Sequence, residues 1–360
     1  MPTELITDAV AMSRALTLAE RGWGRVHPNP LVGAVLVRDG VVVGEGWHAE
    51  YGDRHAETIA LAAAGDSARG ATLYVTLEPC NHHGKQPPCV DAILAAGVAR
   101  VVVSLADPNP VARGGVARLR AAGVPVEVGL LGDLARRLNA RFLHRFAGRA
   151  RPFIAVKLAV TLDGKIADAA GRSQWISGPE ARDFVHHLRA GFAGIGIGGR
   201  TLVADDARLT VRGRLTPREA PIRIVFDRSG MVPATQGIFD GAPDVPVWLV
   251  TGTATPATHT AGISARGAQV LVEDSLPVAL DLLGARDLDS LLIEGGGRLA
   301  GALLAEGLVD RVYQIQSPVW LGAGRDAWSG LGVHDIRDAI RWHTVERRAL
   351  GDDTLLVLER

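Results

Sequence analysis

HAETIALAAAG (55–65) and, after a short gap, ATLYVTLEPCNHHGKQPPC (71–89) decide how the chain is read. The first segment is a helix stopped by Gly65, and ATLYVTLE (71–78) is a buried strand. CVDAILAAG (89–97) is a second short helix, preceded by Pro87 and Pro88 and stopped by Gly97. His55 opens one helix, Cys89 opens the other, and Cys80 follows the strand as part of Pro79-Cys80. Thiolate and imidazole are donors that zinc favours, and three protein ligands leave a fourth position for water, as catalytic sites require. A helix N-terminus favours the thiolate that binds metal. Glu57, two residues past His55, is the proton carrier in this reading. Zinc brings the pKa of its water to about 7. The base-deaminase signature is H-x-E with P-C-x-x-C. Here the second cysteine comes nine positions after the first, so the motif is stretched. A purely structural zinc site would need a fourth ligand, which His48, His82 or His83 would have to supply. His82 and His83 are read either as contacts to a substrate phosphate or as a solvated loop.

Working outward, Thr7 or Asp8 caps a helix ending near Gly22. VGAVLV (32–37), Asp39-Gly40 and VVVGEG (41–46) form a β-hairpin, and RVVVSLAD (100–107) adds an apolar strand. The order helix, hairpin, helix, strand, helix, strand predicts an α/β sandwich. A boundary is expected at HRFAGRARP (144–152), which is rich in Arg and carries Gly148 and Pro152. Beyond it, FIAVKLAVTLDGKIA (153–167) gives two strand-like stretches around Asp163-Gly164. SGPEARDFVHHLRAGF (177–192) is a helix, with Ser177 and Glu180 expected to form a capping box and Pro179 in the first turn. Strands are expected at 193–198, 221–227, 245–250, 268–273, 290–294, 311–322 and 354–359, with GGGRLAGALLAEG (295–307) a glycine turn opening a helix. Backbone amides at such a turn, with the helix dipole, suit a phosphate.

Composition narrows the function classes. A chain of 360 residues predicts about two domains. Its 39 basic and 39 acidic residues balance, which argues against a protein built to bind nucleic acid or anionic membrane. No apolar run approaches the ~20 residues of a membrane span. MPTELITDAV (1–10) lacks a basic region followed by an apolar one, so no signal peptide is expected. Two closely spaced cysteines fit a reducing cytoplasm.

His27-Pro-Asn-Pro-Leu-Val-Gly33, His55-Ala-Glu57 and LEPCNHHGKQPPC from Leu77 resemble the riboflavin-biosynthesis deaminase. The second half is similar to the reductase fused to it in bacteria, through KLAVTLDGKIA (157–167), SQWIS (173–177), LRA (188–190), GGRTLVADDARLTVR (198–212), IRIVFD (222–227) and EGGGRLAGALL (294–304). The resemblance implies a cytidine-deaminase-like α/β/α sandwich over 1–146 and a dihydrofolate-reductase-like α/β domain over 151–360. It implies Zn2+ on His55, Cys80 and Cys89 with Glu57 catalytic, and Asn29 holding the pyrimidine. It implies NADPH at Ala159, Trp175, Thr201, Asp205 and the turn Gly296, Gly297, Arg298, Leu299, Ala300, Gly301 and Ala302. Substrate falls on Ser173, Arg189, Leu209, Arg212 and Glu294. Arg189 and Arg212 would grip a ribose 5′-phosphate. A homodimer through the reductase domain is also implied.

The expected reaction sequence is deamination of a diaminopyrimidine ribosylamine phosphate, then reduction of its ribosyl group, with Asp205 or Lys157 assisting proton transfer. The alternative keeps the deaminase and makes the second half a non-catalytic nucleotide-binding module. A nucleic-acid editing deaminase is disfavoured by the charge balance. Two positions depart from the family pattern: Ala207 where Pro is frequent, and Arg228 in place of a small polar residue. Arg228 would either favour a 2′-phosphate or point outward.

Overall fold

The computed structural model describes residues 6–242 and 245–360. Residues 1–5 of the stretch read for a signal peptide lie outside the described residues. The chain divides into two compact units, Met1–Gly148 with Pro217–Glu219, and Arg149–Thr216 with Ala220–Arg360.

The first unit runs α1 (Asp8–Ala19), β1 (Gly33–Arg38), β2 (Val41–Trp47), α2 (Ala56–Ala64), β3 (Thr72–Val75), α3 (Cys89–Ala96), β4 (Arg100–Val103), α4 (Gly115–Ala121), β5 (Val126–Val128), α5 (Gly132–Leu138) and α6 (Ala140–His144). Thr7 caps α1 through its side chain, which accepts from the Val10 amide. Asp39 and Gly40 both take positive φ, the geometry a two-residue hairpin turn needs. The sheet order is β2-β1-β3-β4-β5. The first two pairings are antiparallel and the last two parallel.

Strand side chains alternate between two cores. Leu36, Leu73, Val101 and Val103 pack with Ala60, Leu61, Ile93 and Leu119, whereas Val35, Tyr74 and Val102 pack with Met12, Leu16 and Ala135. Helices therefore cover both faces and give the expected α/β/α sandwich. The close approach of α2 explains two glycines of β2. A Cβ on Gly44 or Gly46 would meet the carbonyl of Ala60 or Ala56 at 2.3 or 2.4 Å.

The second unit runs β6 (Phe153–Val160), β7 (Lys165–Asp168), α7 (Pro179–Ala190), β8 (Gly194–Gly198), α8 (Gly199–Asp205), β9 (Ile222–Phe226), β10 (Val247–Thr251), α9 (Ala257–Ser264), β11 (Gln269–Val272), α10 (Leu276–Gly284), β12 (Ser290–Glu294), α11 (Gly297–Ala305), β13 (Arg311–Gln316), β14 (Gly324–Asp326), β15 (His343–Leu350) and β16 (Asp353–Glu359). Nine strands form one sheet in the order β11-β10-β9-β8-β12-β6-β13-β16-β15. Pairing is parallel from β11 to β13 and antiparallel beyond. The central parallel strands are largely buried, so they read as mostly apolar runs such as IRIVF and SLLIE, whereas β11 at the edge is not. β12 lies between β6 and β8, and ligands of open α/β sheets bind beyond the carboxyl ends of strands at such a change of direction.

One local expectation fails. α7 is not capped by a Ser177–Glu180 box: its N-cap is Gly178, with no side-chain cap bond. The Asp353 carboxylate accepts from the Gly178 amide at 2.7 Å instead. An ionised acceptor at the positive end of a helix does the work of the box from a distant strand.

Candidate active sites

The loop before α2 and the start of α3 bring the first site together. His55 is the extended N-cap residue of α2, and Cys89 is the first residue of α3. The donor atoms of His55, Cys80 and Cys89 all lie within 4.8 Å of one another. His55 Nδ1 is 3.1 Å from Cys89 Sγ and 3.5 Å from Cys80 Sγ. Tetrahedral zinc holds nitrogen and sulfur donors about 3.5–3.8 Å apart, so the cluster fits zinc. Cys89 is fully buried and Cys80 nearly so. Cys80 is pulled down to about 4, first by its hydrogen bond with Cys89 and against burial, then by His55. Cys89 keeps its own proton and donates it toward the Cys80 sulfur; that bond and burial raise its thiol. A thiolate is thus already favoured at the cluster, which is what a cation requires.

Glu57 sits in the first turn of α2 and is almost completely buried. Burial raises its carboxyl above the ordinary 4.5, partly offset by His55. A carboxyl so placed exchanges protons nearer neutrality than a solvated one. Asn29 Nδ2 lies 3.1 Å from His48 Nε2, and the His48 ring meets the His55 ring edge-on at 5.5 Å. His48 Nδ1 is 3.2 Å from the Arg54 carbonyl. Among the described residues His48 is not part of the donor cluster. It is instead the partner of Asn29.

Two supports escaped sequence reasoning. Asn139 donates to the Leu31 carbonyl at 2.9 Å and accepts from its amide at 2.8 Å, pinning the turn that carries Asn29. Glu78, two residues before Cys80, accepts from the amides of Asp107, Gly114 and Val116 at 3.0–3.1 Å. No spacing rule links Glu78 or Asn139 to partners so far along the chain.

In the second unit a cavity of about 1540 Å³ opens along the carboxyl ends of the parallel strands. It brings together Ala159, Ser173, Trp175, Arg189, Thr201, Asp205, Leu209, Arg212, Glu294, Gly296, Gly297, Arg298, Leu299 and Ala302. Ala300 and Gly301 are not in its lining. Ala300 is in the core, and a Cβ on Gly301 would meet the Ser329 carbonyl at 2.0 Å. Gly295 and Gly296 take φ of 71° and 84° before α11, a bend that only glycine makes without strain. A Cβ on Gly296 would come within 2.8 Å of the Thr201 hydroxyl, so backbone amides and hydroxyl face one small space.

Arg189 and Glu294 form a bidentate pair at 2.5 and 2.8 Å with both side chains largely buried. Arg189 also donates to the Thr210 carbonyl at 2.7 Å. Burial pushes the Glu294 carboxyl up, but the Arg189 guanidinium outweighs it and the net value is below ordinary. Most of Arg189's donors are engaged, so it differs from Arg212, for whose guanidinium the described residues provide no carboxylate at ion-pair distance. Burial lowers the Lys157 ammonium, partly offset by Glu294. Burial raises the Asp205 carboxyl, to which Ser173 Oγ donates at 3.3 Å. Trp175 is 70% exposed and lies under the Arg182 guanidinium, leaving ring surface open in the cavity. Leu209 is buried yet has φ of 50°, a backbone strain met mostly at functional loops.

Comparison with known proteins decides between these chemistries. Residues 152–356 match the RibD C-terminal domain, and residues 6–105 match the cytidine and deoxycytidylate deaminase zinc-binding region. The riboflavin biosynthesis protein RibD of Escherichia coli is 42% identical over 98% of this chain and 99% of its own length. That of Aquifex aeolicus is 38% identical over 98% of each chain. The chain belongs to the RibD family. RibD of Acinetobacter baumannii has a solved structure with a TM-score of 0.82 at 36% identity, covering 98% of both chains. The same values hold for the diaminohydroxyphosphoribosylaminopyrimidine deaminase/5-amino-6-(5-phosphoribosylamino)uracil reductase of Thermotoga maritima. The chain is a bifunctional enzyme of riboflavin biosynthesis, a zinc-dependent deaminase joined to an NADPH-dependent reductase. A second half without activity is not favoured. Among the described residues no helix is long and apolar enough to cross a membrane.

Proposed function

We propose that residues 1–146 remove the 2-amino group of 2,5-diamino-6-(5-phosphoribosylamino)pyrimidin-4(3H)-one by hydrolysis. Residues 151–360 then reduce the ribosyl side chain of the product to ribityl phosphate. The observation that carries this reading is the His55, Cys80 and Cys89 donor cluster with buried Glu57 two residues from its histidine. Zinc held there supplies a Lewis acid that makes water a nucleophile near neutral pH. Asn29, braced by His48, orients the pyrimidine ring. Glu57 carries protons between the attacking water, the ring nitrogen and the departing ammonia.

In the second unit, NADPH supplies the hydride, and the residues align donor and acceptor carbons. The Gly296 to Ala302 turn, Thr201 and Asp205 hold the dinucleotide beside Ala159 and Trp175, with Ala300 and Gly301 keeping α11 close. Arg212 and Arg189 receive the ribose phosphate, Glu294 fixes Arg189, and Ser173 and Leu209 complete the substrate side. Asp205 or Lys157 assists proton transfer; pH profiles of D205N and K157M test this, and unchanged reduction in both excludes it.

The partner is a small molecule rather than nucleic acid, and the site of action is the cytoplasm, where unpaired Cys80 and Cys89 stay reduced. A homodimer through the reductase domain is what the family resemblance implies. The charges along β15, the last strand of its sheet, are of the kind that discourages edge pairing, so the dimer is assigned to another face of that domain. Sedimentation of a monomer at micromolar concentration would contradict it. Ammonia release that tracks bound zinc, lost to chelator and restored by zinc, tests the deaminase assignment. Ammonia release indifferent to zinc would overturn it.

A further inference from the structure

We propose that Arg228 selects the phosphorylated dinucleotide by binding the 2′-phosphate of its adenosine ribose. The inference rests on the placing of NADPH along the sheet-end cavity proposed above. Within that cavity the reacting end is marked by Lys157 of β6 and the Arg189–Glu294 pair at β12. The glycine turn before α11, also at the end of β12, suits the pyrophosphate. The remaining adenosine end must then extend toward β8 and β9, which follow β12 in the sheet. From β6 to β9 is three inter-strand spacings, about 14 Å, enough for an extended dinucleotide. Arg228 stands just past the end of β9 and lines the cavity.

The acidic groups nearby are already committed. A carboxylate accepting from the ribose hydroxyls is what favours the unphosphorylated cofactor. The Asp227 carboxylate is buried and accepts from the Val232 amide at 2.8 Å. Glu273 accepts from the Ser275 amide at 2.8 Å. Asp274 accepts from the Thr253 amide at 3.1 Å and its hydroxyl at 2.5 Å. Arg228 is exposed, and among the described residues no carboxylate lies within ion-pair distance of it; Asp274 acts on it only at longer range. Its stem rests over Gly252, where a Cβ would meet Arg228 Cγ at 3.1 Å and its carbonyl at 2.8 Å. An uncommitted planar guanidinium on a seated stem is suited to a phosphate monoester.

Calorimetric titration of the full chain with adenosine 2′,5′-bisphosphate and with adenosine 5′-monophosphate tests this. Wild type should bind the bisphosphate about tenfold more tightly, and R228S should lose that preference while binding the monophosphate as before. R228K should keep part of it, and added salt should shrink it in wild type. A preference that survives R228S overturns the role of Arg228 and leaves the cavity assignment standing. Failure of wild type to bind either probe overturns both.

Discussion

In the first unit the three donor atoms and the buried acid come from residues 55–89, whereas the cavity of the second is lined by residues from 157 to 329. The first site needs only a helix start, a loop and a second helix start. The second needs strand order, because β6, β8, β9 and β12 reach it from separate parts of the chain. Position errors are therefore corrected locally in one and by the whole sheet in the other. Substitution at the metal cluster should abolish one activity cleanly, while substitution of the buried Arg189–Glu294 pair in the cavity should cost binding, catalysis and stability together.

The largest expected effect is the sharpest cut. C80S should lose its zinc by metal analysis and deaminate at background, yet still reduce supplied deaminated substrate. Loss of both activities would break the contrast between a local and a distributed site. E57Q should retain zinc and lose about 10²–10⁴-fold in deamination rate. A loss below tenfold would remove Glu57 from proton transfer.

E294Q leaves Arg189 buried without its counter-charge and should destabilise the second unit by about 3 kcal/mol, read by denaturant unfolding. The sign with pH follows from the lowered carboxyl. Its stabilisation is fully present above the ordinary 4.5 and disappears as pH falls through the lower folded value. The gap between wild type and E294Q should therefore be widest near neutrality and narrow below pH 4.5. A gap independent of pH would mean that the pair is not what holds the side chains.

The smallest effect is expected at Asp8, whose carboxylate accepts from Tyr74 and Arg100 at 2.6 Å at a half-exposed position. D8N should cost under about 1 kcal/mol. It should leave both activities intact in initial-rate assays.

The same contrast governs what could be read in advance. His55, Glu57 and Cys89 are visible because each falls at the start of a helix, and Cys80 because it follows Pro79 in the loop after β3. The strands of the second unit were visible as apolar runs, and the glycines before α11 as a turn. α4, GVARLRA, and α8, GRTLVAD, are seven residues each and open on glycine, too short for a helical apolar period to stand out. β15, HTVERRAL, is an exposed edge strand whose charges mask its pairing with β16. The Asp353 cap of α7, the Asn139 clamp on Leu31 and the His48 brace on Asn29 join residues through the folded structure alone.

The most direct test follows the mass of the diaminopyrimidine ribosylamine phosphate incubated with zinc-loaded protein, with and without NADPH. Amine-to-carbonyl exchange is expected in both cases, and a gain of two hydrogens only with NADPH. Exchange without that gain, or no change at all, would contradict the assignment of two successive activities to this chain.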